Sequence, residues 1–288
     1  MRRLLLVLRA HLLRPVFASV LALGLVLTAA GTAAAMPPQG SDPAAAAAKG
    51  GGGTGGGGGG GGKTATRGFD ISYPQCDDAY PARPAFAIVG VNGGRVFSVN
   101  PCLASQITWG GGAAAELYAN TGNPGPGLSQ FWPTGQTSPR VCAAASPDTA
   151  DCAYDYGWNA AKHSFDTATA AYAQLGLSAT PAATAWWLDV ETMNSWRTDT
   201  ALNVAALQGG VDYLRSVGVA RIGVYSTTVQ WREITGGTTA FAALPSWGAG
   251  APSEKAAKQH CVSTPGFTGG RLAMVQYIWS GFDADVRC

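Results

Sequence analysis

Asp189 and Glu191 stand one residue apart at the end of the apolar run Ala185-Trp186-Trp187-Leu188. If that run is a strand, residues i and i+2 point to the same side with Cα atoms ~6.6 Å apart. The two carboxyls then project together, where the apolar segment gives way to Thr192-Met193-Asn194. Two carboxyls that close, beside aromatic surface, do not ionise independently; one is pushed to keep its proton near neutral pH, as a general acid must. By itself the spacing is weak, because a chain of this acid content shows roughly one such pair by chance. Its weight depends on where the rest of the chain places other acids.

The elements that would position the pair can be read along residues 67–288. Arg67–Ser72 is a short strand with Asp70 near its end, and Ala85–Val91 is a continuous apolar run of the kind buried on both faces of a parallel sheet. Asn100-Pro101 offers a cap and first-turn proline for a helix through Trp109, and Glu116–Asn120 is a third strand. Thr121 to Cys152 is a long insertion rich in Pro and Gly, carrying Phe131-Trp132. Trp158, Ala161, Phe165, Ala168, Tyr172 and Leu175 then trace a helical stripe that Gly176 ends. After the Trp186–Glu191 strand, Asp199 caps a helix that stops at Gly218; Arg221–Ser226 is a strand followed by a helix through Trp231. Leu244–Ala249, a helix over Ser253–His260 and a last strand over Leu272–Trp279 complete the pattern. Seven strands alternating with helices indicate α/β architecture with a parallel sheet, and at this length a closed barrel. In such barrels the site lies at the C-terminal ends of the strands. Asp70, Asp189, Glu191 and Asp283, which follows the last strand through Ser280-Gly281-Phe282, would meet on that rim, with the Phe131-Trp132 insertion overhanging it.

The remainder of the chain carries no comparable chemistry. Residues 1–35, with Arg2, Arg3, Arg9 and Arg14 ahead of an apolar stretch and Ala33-Ala34-Ala35 at its end, read as a cleavable export signal, with an uncleaved anchor as the rival. Residues 36–66, with glycine runs at Gly50–Gly53 and Gly55–Gly62, read as a flexible linker. Once the six basic residues and Asp42 of these segments are set aside, thirteen Lys and Arg face sixteen Asp and Glu, so residues 67–288 carry about −3 rather than the whole chain's +2. There is no basic run, which argues against a nucleic-acid partner. Cys76, Cys102, Cys142, Cys152, Cys261 and Cys288 suggest up to three disulfides in an exported protein. Of the 15 pairings open to six cysteines, neighbour pairing (76–102, 142–152, 261–288) is the expectation adopted. None of them has zinc-type spacing, so neither metal nor cofactor is expected.

Five short segments, in order, resemble glycoside hydrolase family 25, the Chalaropsis-type lysozymes. Gly68-Phe69-Asp70-Ile71-Ser72 is similar to the family's opening Gly-x-Asp-Val-Ser, and Leu188-Asp189-Val190-Glu191 to its central Asp-x-Glu strand. Gly223-Val224-Tyr225-Ser226, Gln276-Tyr277 and Phe282-Asp283 resemble its Gly-(Ile/Val)-Tyr-(Thr/Ser), closing Gln-Tyr and Val-Asp. The resemblance implies an irregular, TIM-like (β/α) barrel of eight strands with fewer helices, here disulfide-stabilised. It implies cleavage of the β-1,4 bond after N-acetylmuramic acid in peptidoglycan. Glu191 would protonate the leaving oxygen, Asp189 would steady the 2-acetamido group or the charge developing at the sugar, and Asp70 and Asp283 would hold and tune that pair. Tyr225, Trp247, Tyr277 and Trp187 would be candidates for sugar contact. The sequence departs from the family where Lys-Ala-(Thr/Ser)-Glu-Gly is replaced by Gly90-Val91-Asn92-Gly93-Gly94, and Tyr-His-Phe by Leu117-Tyr118-Ala119-Asn120.

A secreted or wall-associated monomer follows as the expectation, with peptidoglycan or a related glycan as partner and no membrane contact after signal cleavage. Its rival is a barrel that grips cell-wall glycan without cutting it; intact Asp189 and Glu191 count against that. Ser226 lacks a plausible His partner for a Ser-His-Asp hydrolase.

Overall fold

The computed structural model describes residues 67–82 and 84–288. The export signal and glycine linker read from residues 1–66 lie outside the described residues. Eight strands close into one barrel in chain order: β1 (Gly68–Ile71), β2 (Ala87–Gly90), β3 (Glu116–Asn120), β4 (Ala185–Asp189), β5 (Arg221–Ser226), β6 (Ser246–Ala251), β7 (Leu272–Trp279) and β8 (Phe282–Arg287). The first seven run parallel, whereas β8 is antiparallel to both β7 and β1. Five α-helices are described: α1 (Leu103–Trp109), α2 (Ala150–Gln174), α3 (Thr200–Ser216), α4 (Thr228–Thr235) and α5 (Glu254–Ser263). The barrel thus has fewer helices than strands among the described residues, and the eighth strand joins the seven read from sequence pattern.

Local chemistry sets the helix starts. Thr149, Asp199, Thr227 and Ser253 each sit in extended backbone and accept a hydrogen bond from a backbone N–H in the first turn of α2, α3, α4 and α5. The capped start at Thr149 puts the beginning of α2 eight residues before Trp158, so Cys152 belongs to the helix rather than to the insertion. Gly176 and Gly218 follow α2 and α3 in left-handed backbone, at φ 65° and 89°.

Outward-facing side chains of β2 to β5 (Val89, Leu117, Trp186, Leu188, Ile222, Val224) pack against α1, α2 and α3 in the main core. A second cluster joins β1, β7 and β8 to α5 through Phe69, Val275, Tyr277, Ala284 and Ala257. Ile88, Trp187, Trp247 and Met274 fill the barrel interior. Helices α2 and α3 cross very closely: a Cβ on Gly157 would lie 1.8 Å from the carbonyl oxygen of Ala206, and one on Gly209 2.0 Å from that of Tyr154. Only glycine permits this approach. The disulfides are Cys76–Cys102, Cys142–Cys152 and Cys261–Cys288, the neighbour pairing expected.

Candidate active site

Strand register brings the acids to one mouth of the barrel. Asp70, at the C-terminal end of β1, lies opposite Asp283 near the start of the reversed strand β8. Asp189 ends β4, flanked by Asn120 at the end of β3 and by Tyr225 of β5. Beyond Asp189 the chain turns, held there by Thr121, whose N–H and hydroxyl both donate to the Asp189 carbonyl oxygen. The hydroxyl of Ser226 donates to the carbonyl oxygen of Val190 at 2.7 Å, and the Trp196 indole donates to that of Glu191 at 2.8 Å. Glu191 is half-buried and Asp189 only 3% exposed.

Two carboxyl contacts dominate the chemistry. Asp189 Oδ2 accepts from Asn120 Nδ2. Asp189 Oδ1 is buried without a well-formed donor among the described residues, Asn194 making a looser contact, and its other hydrogen-bond neighbour is the Glu191 carboxyl. Burial first, then the charge of Glu191, pushes the Asp189 carboxyl well above the usual carboxylate range.

Beneath lies a second pair, Asp70 with Asp285. Gln276 donates from Nε2 to Asp70 Oδ2 at 3.0 Å and accepts at Oε1 from the Tyr225 hydroxyl at 2.9 Å, so Tyr225, Gln276 and Asp70 form one chain of hydrogen bonds. The Trp247 indole donates to Asp285 Oδ1 at 2.9 Å, while Asp285 Oδ2 faces Asp70. Burial is the largest cause of the rise in both: Asp70 goes well above its ordinary range, helped by the charges of Asp285 and Asp283, and Asp285 is pushed up to about 8. The buried Tyr225 hydroxyl is also raised, by burial and then by the field of Glu191, Asp70, Asp189 and Asp283. Four carboxyls from three separate segments therefore act on one phenol.

The aromatic candidates separate by strand parity. Tyr225 faces the mouth, its ring 4.5 Å from that of Trp247. Trp247, the register partner of Tyr225 on β6, is buried. Trp187 shares the inward face of Asp189 but lies two residues deeper, 5% exposed, with its indole donating to Glu116 at 2.8 Å. Tyr277 points outward instead, where its hydroxyl takes the Nε–H of Arg67 and donates to Glu254 of α5. Its neighbour Gln276 occupies the inward position. Asn120, Gln276 and Asp285 are the polar residues that sequence reasoning missed. Asp285 stands two residues from Asp283, the same i, i+2 signal that singled out Asp189 and Glu191. The insertion after β3 touches the rim through Thr121, and Asn123 donates its N–H to the Ser195 carbonyl in the loop after β4. Its body packs on α2, where Trp132 and Cys142 meet Cys152, Ala153 and Tyr156.

Comparison with known proteins adds an independent line. A family model described as Lysozyme-like protein 1 matches residues 158–259, a stretch holding Asp189, Glu191, Tyr225 and Trp247. A probable GH family 25 lysozyme 4 from Dictyostelium discoideum is 44% identical over 61 residues. Both matches are to lysozyme-type proteins, the second to one of family 25. The second spans 21% of this chain and 28% of that protein, so the chain matches little more than a quarter of its relative. Among solved structures, a muramidase from Trichobolus zukalii is similar at 19% identity and a TM-score of 0.46, covering 78% of this chain and 94% of its own. A family GH25 lysozyme from Aspergillus fumigatus is similar at 16% identity and a TM-score of 0.47, covering 76% and 92%.

Proposed function

We propose that the protein is a secreted muramidase that hydrolyses the β-1,4 bond after N-acetylmuramic acid in peptidoglycan. The observation carrying this reading is the Asp189 carboxyl held against Glu191 at the barrel mouth, a pair able to keep one proton at neutral pH. Glu191 is the more exposed member and delivers the proton to the glycosidic oxygen. The C1–O bond then breaks, leaving oxocarbenium-like charge on the sugar. Carboxylate charge at the rim steadies that cation; water adds at C1, and the proton it loses returns to the pair. Because burial and the charge of Glu191 both raise Asp189, the pair keeps one proton between its two carboxyls, and it is donated from Glu191. Tyr225 is the aromatic best placed to line the sugar, and the chain from Tyr225 through Gln276 to Asp70 fixes its hydroxyl.

Mass spectrometry of soluble fragments from purified peptidoglycan tests this. The protein should release disaccharide-peptides ending in reducing muramic acid, and Glu191→Gln should lower the rate by roughly 10²–10⁴-fold, the usual contribution of a positioned acid. If both proteins pellet with the wall and neither releases fragments, the barrel binds glycan without cutting it.

A further inference from the structure

The opposite end of the barrel, at the N-terminal ends of the parallel strands, holds a cavity of about 710 Å³. Four arginines from four places in the chain line it: Arg215 of α3, Arg221 at the start of β5, Arg271 before β7 and Arg287 of β8. All four are exposed. The carboxylate on its wall, Glu116, is already engaged, accepting from the Trp187 indole and pairing with Arg287 at 2.7 Å. Arg215 leans on Asp212 at 3.7 Å. Arg221 donates to the carbonyl oxygen of Ala183 at 3.2 Å, and neither it nor Arg271 forms an ion pair among the described residues. Residues 67–288 carry more acid than base, yet this cleft gathers positive charge, with two of its guanidiniums outside any ion pair among the described residues.

We propose that this floor cavity binds a phosphodiester-linked anionic chain. Planar guanidinium forks match phosphate bidentately, and four of them around one space suit several anionic groups rather than one ion. Apolar wall between them, from Ile222, Leu244 and Pro245, fits the carbon segments joining successive phosphates. A neutral glycan gives such arginines nothing to pair with. Base stacking, which strengthens the grip on single-stranded nucleic acid, has no partner here, because the aromatic on this wall, Trp187, is buried. The site lies at the far end of the barrel from the carboxylate rim, so both could be occupied at once.

Calorimetric titration of the full chain with a glycerol-phosphate oligomer, in about 50 mM salt and then at higher salt, is the test. Saturable binding that weakens steeply with salt is expected, and Arg221→Gln with Arg271→Gln should weaken it by roughly tenfold or more. The Arg→Lys pair should fall between, because charge survives without the fork. Both double variants should keep the wild-type circular dichroism and release wall fragments as before, so this result stands apart from the hydrolysis reading. Four outcomes would overturn the proposal: no binding at low salt, equal binding by the glutamine variant, equally tight binding of polyglutamate, or binding confined to phosphatidylglycerol vesicles.

Discussion

At the scale of single residues, buried carboxyls make the domain sensitive to pH. Asp285 is protonated in the folded barrel up to about pH 8, whereas in the unfolded chain it ionises near the ordinary carboxylate value. The folded state therefore holds a proton that the unfolded state has lost. The stability this brings is complete below about pH 4 and fades as pH rises through about 8. Asp285→Asn keeps an acceptor for the Trp247 indole and offers Asp70 an N–H, so its melting temperature should exceed wild type's by a few degrees at pH 8 and match it near pH 4. At this chain length each kcal/mol is worth about 2–4 °C; differential scanning calorimetry across that range reads the difference. Asp189→Asn removes the like charge beside Glu191 and should move the alkaline limb of the activity profile to lower pH, measurable from initial rates of fragment release. The same residues explain what could be read in advance. Asp189 ends an apolar strand, Glu191 lies two residues on, past the strand end where the chain turns, and Asp70 sits near the end of the short β1, so pattern alone located them. Asp285 and Gln276 lie within strands, and their inward direction depends on parity, which a one-residue choice reverses; Tyr277 shows this, facing α5 in place of the mouth.

At the scale of elements, the apolar strands were legible and the charged one was not. β3, β5 and β7 run over the residues expected from their alternation or apolar continuity. β8 reverses the usual pattern: Asp283, Asp285 and Arg287 alternate with Ala284 and Val286, and Asp285 is buried in the barrel, between a half-buried Asp283 and an exposed Arg287 that reaches Glu116. A segment of that composition reads as a loop because burying charge is unfavourable unless partners wait for it, and those partners come from β1, β3 and β6. The front of α2 was hidden for another reason. Gly157 is a poor helix former, and its value appears only when α3 presses the Ala206 carbonyl against it. Gly157→Ala or Gly209→Ala must push the two helices apart, and each should destabilise the domain by about 1–3 kcal/mol or more. Urea unfolding of the two variants checks this; a loss below half a kcal/mol would mean the crossing is looser than described.

At the scale of the whole molecule, opposite charge collects at opposite ends of the barrel, acids at the mouth and arginines at the floor. β8 spans the two, from Asp283 to Arg287, and its far end is fastened to α5 by Cys261–Cys288. That bond closes a loop with a sequence separation of 27, and replacing both cysteines with serine should cost about 2–4 kcal/mol. The loss should be accompanied by weaker protection of β8 amides in hydrogen exchange, since the strand's terminus is then free to fray.

The reversed strand also sets a schedule. Gln276 reaches Asp70 across 206 residues, and β8 pairs the first strand with the seventh. No partial chain can assemble the mouth: a nascent polypeptide lacking its final strand has an open sheet with two raw edges, hungry for any passing neighbour. The helical pair α2 and α3 can dock early and wait, but Asp70 gains Asp283 and Asp285 only when β8 slides into the gap. Closure of the barrel by β8 therefore comes before Asp70 can pair with Asp285.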